Sequence, residues 1–443
     1  MRLLADASLR KLLSGGTAAF ALKIGGGGLM LLLLGRLAWL LGPQEFGMFS
    51  VAFTVATFLA TVGSFGQRMA SLRFAGAIVS RDRVAAMRPV RKGAWLVFAG
   101  SGGLGAMLAV ADLAGMAPGP RGLAAATGVL TIVLAFAEYQ AHYLRVFGSV
   151  TSALAPRDLF WRLGALAAVM LAVPRSAVEG VVLIAVTLFM ATLAQRLLHR
   201  AHCGFRMRNR STPVSGFACE TKQADAESVE WRAALPGLWA LSVLQIATPQ
   251  IAVLILGMRL DPASSGAFFA AQRLAGLVAL ILMAGNIAAG PMIAAAYAEG
   301  RRADLARICR LVAAGSTVLA CVAAVFAIIF GGSALAVFGP GFEQAFPALL
   351  ILIGGQLVNA ATGPVSVLLE LSGQERVALR LNIRITLVAL PGLWLAVGFW
   401  GLEGAAAVQA LAVAIWTSLA IVRARNVPGI DPGVGGYLWP VLK

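Results

Sequence analysis

Long apolar runs separated by short polar connections dominate this chain. A helix needs about 20 residues to cross roughly 30 Å of hydrocarbon, so runs of that length predict membrane-spanning helices. Twelve such runs occur, at residues 12–35, 46–66, 92–112, 122–144, 154–173, 177–198, 233–257, 265–290, 308–330, 344–370, 378–399 and 401–422. The pattern predicts an all-α polytopic membrane protein with about 12 transmembrane helices.

Composition supports the same class of protein. Hydrophobic residues make up 59% of the 443 positions and charged residues only 12%, whereas a soluble domain carries about 25% charged residues. An ordinary soluble domain is therefore excluded, and membrane lipids are expected to surround much of the surface.

The positive charge is distributed by topology. A net charge of +17 in a soluble protein would suggest binding to nucleic acid. Here most of the 36 lysines and arginines lie in alternate connections, which is the pattern of cytoplasmic loops. This bias predicts an even number of spans with both termini cytoplasmic, and no nucleic-acid partner is expected.

A repeated motif divides the chain into halves. The pattern L-x-P-x-x-x-G-x-F occurs at 41–49 and again at 260–268. Six predicted spans precede the longest polar segment and six follow it, so the two halves start on the same side of the membrane as parallel repeats. The predicted domains are an N-terminal six-helix bundle (1–198), a cytoplasmic linker (199–232) and a C-terminal six-helix bundle with a short cytoplasmic tail (233–443).

Two charges lie deep within predicted spans. Lys23 is roughly 16 Å along the helix from the cytoplasmic end, too far to reach the interface by snorkelling, and Arg273 is similarly deep. Such a charge costs about 3 kcal/mol, so each side chain should face a hydrated cavity or a partner. Contact with an anionic cargo and an interhelical hydrogen bond are both open as roles. A shift of one repeat aligns Arg273 with Thr54, so the cation occurs only in the second half.

Polar and titratable residues supply further candidates. Gln272, Asn286 and Asn359 could donate or accept hydrogen bonds with a cargo, although a single amide is more often a helix-packing contact. Glu138 and His142 share one face of the fourth span, and a protonatable carboxylate there could couple transport to an ion gradient. The alternative is an ion-pair cluster with Arg145 near the interface.

Sequence signatures of catalysis are missing. The chain contains no phosphate-binding glycine loop, no zinc-ligand spacing and no nucleophile–base pair, and it has only three histidines. Neither an enzyme, nor a metal site, nor a cofactor is expected.

Several segments resemble a known family. The segment LGPQEFGMFSVAFTVATFLATVGSFGQRMASLRF at 41–74 resembles a signature of the bacterial polysaccharide flippases, the exporters of O-antigen and exopolysaccharide. The segments 261–305, 339–383 and 401–416 are similar to later spans of that family. The resemblance covers most of the chain, although 100–232 contributes little to it.

The resemblance implies a fold and a function. The family belongs to the multidrug/oligosaccharidyl-lipid/polysaccharide (MOP) exporter superfamily, in which two six-helix bundles form a V around a central cavity and open alternately. Its members act in lipopolysaccharide and exopolysaccharide biosynthesis. They move an undecaprenyl-pyrophosphate-linked oligosaccharide from the cytoplasmic to the periplasmic leaflet of the bacterial inner membrane. Lys23 and Arg273 would then neutralise the diphosphate, and a polysaccharide polymerase and glycosyltransferases are the candidate protein partners.

Two other functions stay open at this point. A cation-coupled drug or metabolite antiporter of the same superfamily is one, although it would need a buried carboxylate and the deep charges here are positive. A non-transporting scaffold of a polysaccharide-assembly complex is the other.

Overall fold

The fold is helical throughout the described residues. A computed structural model describes residues 2–75, 79, 86–147, 153, 155–207, 220–372, 374–426 and 430–437, and no β-strand occurs among them. The all-α prediction is therefore confirmed.

The described helices follow one another with short connections. They are α1 (Arg2–Gly63), α2 (Met87–Leu113), α3 (Leu123–Phe147), α4 (Trp161–Ala172), α5 (Ala177–Met207), α6 (Glu220–Arg259), α7 (Pro262–Ala298), α8 (Arg302–Ala336), α9 (Phe346–Thr362), α10 (Val365–Leu371) and α11 (Glu375–Asn426). A helical turn, Gln67–Ala70, leads into a π-helical segment, Ser71–Ala75, and a second π-helical segment, Pro156–Phe160, precedes α4. Short 3₁₀ segments occupy Phe342–Ala345 and Val434–Tyr437.

The number of spans agrees with about twelve. Among the described residues, nine helices are long and apolar enough to cross a membrane. Two of these nine contain a kink, α1 at Gly42 and α11 at Gly401, and each kink separates two of the predicted spans. With the shorter α4, the described helices correspond to all twelve predicted spans.

Two boundaries differ from the sequence prediction. The predicted span 344–370 is interrupted at Gly363, where φ is 65° and the following Pro364 has no backbone N–H for the helix ladder. A side chain at 363 would also lie 2.7 Å from the carbonyl oxygen of Pro432. The predicted linker is partly helical, because α5 continues to Met207 and α6 begins at Glu220; residues 208–219 lie outside the described part of the chain.

The helices form two compact units. Unit 1 contains residues 1–51 and 247–443, and unit 2 contains residues 52–246. These limits do not coincide with the predicted domain boundaries, since the first part of α1 packs with the second half of the chain. The division into bundles at 1–198 and 233–443 stays a prediction.

Each unit has its own apolar core. In unit 1, Ile293 of α7 and Cys309 of α8 are fully buried against Leu368 of α10 and Ala420 of α11. In unit 2, the ring of Tyr139 is buried among α1, α2 and α3, and its hydroxyl donates a 2.6 Å hydrogen bond to the carbonyl of Val90.

The two copies of the repeated motif touch each other within unit 1. A Cβ atom at Gly47 would lie 1.8 Å from the carbonyl oxygen of Pro262, and one at Gly266 would lie 3.0 Å from Cα of Gly47. Glycine at both positions lets the two backbones come into direct contact, as small residues do in membrane helix pairs. The motif therefore builds the crossing of α1 and α7.

Candidate functional site

Two contacts define how the first part of α1 lies along α7. Gly47 packs on Pro262, and a Cβ at Gly27 would lie 3.2 Å from Leu280 and 3.3 Å from Leu277. The contact on α1 moves towards its N-terminus as the contact on α7 moves towards its C-terminus. The two helices are therefore antiparallel.

Lys23 lies on the face of α1 that packs against α7. It precedes Gly27 by one turn and shares its face, and the residue is half-buried. One turn corresponds to about 6 Å along the helix axis. Because the helices are antiparallel, Lys23 lies beyond Leu280 in the direction of Asn286.

Arg273 lies on the opposite side of the same contact. It precedes Leu277 by one turn and Leu280 by two, about 6–10 Å along the axis. The guanidinium carbon of this half-buried residue is 4.6 Å from the centroid of the Phe269 ring, a cation–π distance that directs the side chain towards the start of α7. Lys23 and Arg273 are thus about 12–16 Å apart along the helices, and their joint contact with one diphosphate stays a prediction.

Two of the predicted amides make contacts within the protein. Gln272 donates 3.1 Å hydrogen bonds to the carbonyl of Pro249 and to the side-chain oxygen of Gln409, which ties α7 to α6 and α11. Asn359 donates a 3.3 Å bond to the side chain of Gln356, one turn earlier in α9. These bonds favour packing roles for Gln272 and Asn359 over contact with a cargo.

Asn286 has the opposite character. Its side-chain oxygen is buried and accepts no hydrogen bond from the part of the chain that the structure describes. A buried acceptor left in this state costs about 1–3 kcal/mol. Asn286 and Lys23 therefore form the strongest part of the candidate site, because both offer polar atoms near one level of the α1–α7 contact.

Glu138 lies between two arginines of unit 2. The Nη2 atom of Arg157 donates to Oε1 of Glu138, and Nη1 of Arg68 is 3.6 Å from Oε2. The Nδ1 atom of His142 is 2.7 Å from the backbone carbonyl of Glu138, so the imidazole bonds the helix backbone. This geometry favours the ion-pair cluster, and a role of Glu138 and His142 in ion coupling stays a prediction.

Sequence reasoning missed most of this cluster. It treated Arg68 and Arg157 as loop charges that set topology, and it left Asp158 without a role. The adjacent Arg157 and Asp158 follow Pro156 directly, and such a charged pair inside a predicted span was the available signal. Only the fold shows that they meet Glu138.

An apolar cavity in unit 2 lies apart from the predicted site residues. Its volume is about 260 Å³, and α3 contributes several of its lining residues. Phe98, Phe136 and Phe189 line it together with Gln140 and Arg196. Gln140 also donates to the carbonyl of Thr192 at 2.8 Å, which joins α3 to α5.

Comparison with solved structures identifies the fold. The chain is similar to a MATE protein crystallised in complex with MaL6, with a TM-score of 0.62 and 17% identity over 94% of this chain and 97% of that one. It is similar to a MOP superfamily transporter from Pyrococcus furiosus, for which a reverse polarity of the binding pocket suggests a different function. That match has a TM-score of 0.62 and 16% identity over 94% and 95% of the two chains. A multidrug resistance MATE transporter in its inward-facing conformation gives a TM-score of 0.56 and 14% identity over 95% and 94%.

Sequence comparison adds no closer relative. No family model matches the chain, and no curated protein matches it. At identities of 14–17%, the likeness is one of fold. This chain has the fold of the MATE transporters of the MOP superfamily.

Proposed function

We propose that this protein is a membrane transporter that works by alternating access. The observation that carries the proposal is the similarity of fold to MOP superfamily transporters over 94% of the chain. The long apolar helices agree with a multi-span membrane protein. We further propose that it resides in the bacterial inner membrane with both termini cytoplasmic, which reporter fusions at the C-terminus would test.

The class of transporter favoured by the comparisons is the drug or metabolite antiporter. The similar structures include MATE and multidrug resistance transporters, and this supports the antiporter alternative better than the flippase. Within this chain, however, the charges on α1 and α7 are Lys23 and Arg273. Cationic side chains favour a cargo that carries negative charge. The first candidate function is therefore antiport of an anionic amphiphilic drug or metabolite.

A lipid-linked oligosaccharide flippase is the second candidate function. The deep cations support it, because a diphosphate moving through a low-dielectric zone needs nearby positive charge, and so does the resemblance of segments such as 41–74 to the polysaccharide flippases. In this case the cargo would be an undecaprenyl-pyrophosphate-linked oligosaccharide, and a polymerase and glycosyltransferases would be partners. Co-purification from cells that make a surface polysaccharide would test those partners.

Reconstitution in proteoliposomes separates the candidates. Three cargoes are compared: a cationic dye, an anionic amphiphilic dye and a fluorescent prenyl-diphosphate oligosaccharide. We expect transport of one of the anionic cargoes, and a loss of about tenfold in rate for each of Lys23→Gln and Arg273→Gln, since one lost charge contact is worth about 1.4 kcal/mol. The control is Arg301→Gln, which removes only exposed ion pairs to Glu299 and Asp304.

Other outcomes would change the proposal. Transport of the cationic dye alone, unaffected by both variants, would contradict the assignment of an anionic cargo. Folded protein that moves none of the three cargoes and tolerates both variants would favour the non-transporting scaffold.

A further inference from the structure

A group of arginines converges on the end of α3 that is predicted to be cytoplasmic. The π-helical segment Pro156–Phe160 carries Arg157, whose guanidinium bonds Glu138 of α3 and lies 3.7 Å from the carboxylate of Asp158. The side chain of Asp158 is only 2% exposed. Both carboxylates therefore take part in an ion-pair network that is largely removed from solvent.

Three more arginines belong to the same network. Arg68 lies in the turn that leads into the π-helical segment Ser71–Ala75, and that segment packs against α3. Arg145 of α3 and Arg162 of α4 both interact electrostatically with the two carboxylates and with Arg157. We define the arginine cluster as Arg68, Arg145, Arg157 and Arg162 together with Glu138 and Asp158.

Positive charge is in excess within the arginine cluster. Four guanidinium groups meet two carboxylates, and the side chains of Arg68 and Arg157 are only 16% and 23% exposed. Burial lowers the pKa of the Arg68 guanidinium below its ordinary value, while the Glu138 carboxylate opposes that change. Removing an unbalanced charge from water is unfavourable, so a further anion would stabilise this arrangement.

Two hydrogen-bond donors of the cluster are also unused. The Nε atoms of Arg145 and Arg162 are buried, and neither donates to an acceptor within the described ranges. Arg162 uses its Nη1 atom to donate to the backbone carbonyl of Asp158 at 2.8 Å. A guanidinium group can donate through Nε and Nη2 to two oxygens of one phosphate.

We propose that the arginine cluster binds a phosphate or diphosphate group. Guanidinium groups recognise phosphate oxygens through paired, charge-assisted hydrogen bonds, and the surplus of positive charge matches an anion. The two flanking π-helical segments fit this role, because such segments occur frequently at functional sites. The group could come from a lipid headgroup or from a soluble phosphate. The site lies in unit 2 and does not depend on which cargo the protein carries.

Thermal unfolding of the purified protein in detergent tests the proposal. Inorganic pyrophosphate is the probe, and Tm should rise with the logarithm of its concentration, because a ligand of the folded state stabilises it. In the double variant Arg145→Gln/Arg162→Gln the ion pairs of Glu138 with Arg68 and Arg157 remain, so we expect it to fold. We expect its pyrophosphate affinity to fall about tenfold for each arginine removed.

Two comparisons make the test specific. Without pyrophosphate, the double variant should unfold at a higher temperature than the wild type, because surplus positive charge has been removed. The variant Arg301→Gln, altered at an exposed ion pair, should keep the wild-type response to pyrophosphate. Equal responses of the wild type and the double variant, or no response of the wild type to either probe used, would overturn the proposal.

Nanodiscs distinguish the two sources of phosphate. The second probe is a change from phosphatidylcholine to phosphatidylglycerol nanodiscs, which supplies a lipid phosphate with net negative charge. A Tm increase that the double variant loses in phosphatidylglycerol supports a lipid headgroup. A response to pyrophosphate that is independent of the lipid supports a soluble phosphate or diphosphate.

Discussion

The two copies of the repeated motif begin their helices in different ways. In the first copy, Gly42 adopts φ 74° and ψ 170°, and the chain passes through a kink into Pro43. In the second copy, Asp261 is extended, with φ −149°, and caps α7 by accepting a 2.8 Å hydrogen bond from the backbone N–H of Ser264. Pro262 then takes the first helical position, where its missing N–H costs nothing.

The difference shows which parts of the motif serve packing and which serve the local turn. Gly47 and Gly266 make the contact between the two helices, and Phe49 and Phe268 are both fully buried. These shared residues meet a requirement that is the same in both copies. The second position differs because a turn can be made either by the conformational freedom of glycine or by a hydrogen-bonding cap.

The largest effect is expected at the glycine contact. Gly47→Ala should lower the free energy of unfolding by about 3 kcal/mol, because its Cβ would overlap the carbonyl group of Pro262. Gly266→Ala should cost about 1 kcal/mol, since its Cβ would approach Gly47 and Phe46 at 3.0–3.2 Å. Thermal unfolding in detergent measures both variants.

A matched control exists in the same helix. A Cβ at Gly276 would meet no described atom within 4 Å, so Gly276→Ala should be neutral or slightly stabilising. If Gly47→Ala behaved like Gly276→Ala, the close contact of the two motif copies would be wrong.

A smaller effect is expected at the kink of the first copy. Gly42→Ala should cost about 2 kcal/mol, since the backbone there lies in a region that is essentially restricted to glycine. No neighbour lies within 4 Å of the added Cβ, so the cost arises from backbone conformation alone. Circular dichroism during heating measures the change, and an unaltered Tm would show that the kink does not require glycine.

The smallest effect is expected at the cap of the second copy. Asp261→Ala should cost about 1 kcal/mol through loss of the N-cap, whereas Asp261→Asn should retain most of the stability. The hydroxyl of Ser264 also donates to Asp261, at 2.8 Å. The same unfolding measurement applies, and equal losses in the two variants would mean that the carboxylate charge, not the cap geometry, is what stabilises the start of α7.

The candidate site was predictable only in part. Lys23 and Arg273 stand out from the sequence because a charge within an apolar run is energetically costly. Their separation along the α1–α7 contact was not predictable, since it depends on where Gly27 meets Leu277 and Leu280. The roles of Gln272 and Asn359 in packing likewise depend on partners that are distant in the chain.

The sequence by itself determined the helical class, the approximate spans and the positions of both motif copies. Hydrocarbon thickness sets the length of an apolar run, and proline and glycine act within their own turns, so neighbours in the chain are sufficient for these features. Tertiary structure alone decided that residues 1–51 pack with 247–443, that Gly47 meets Gly266 and that Arg157 meets Glu138. Such pairs are far apart in the chain, and only the packing of helices, each of which offers several faces, selects one partner over another.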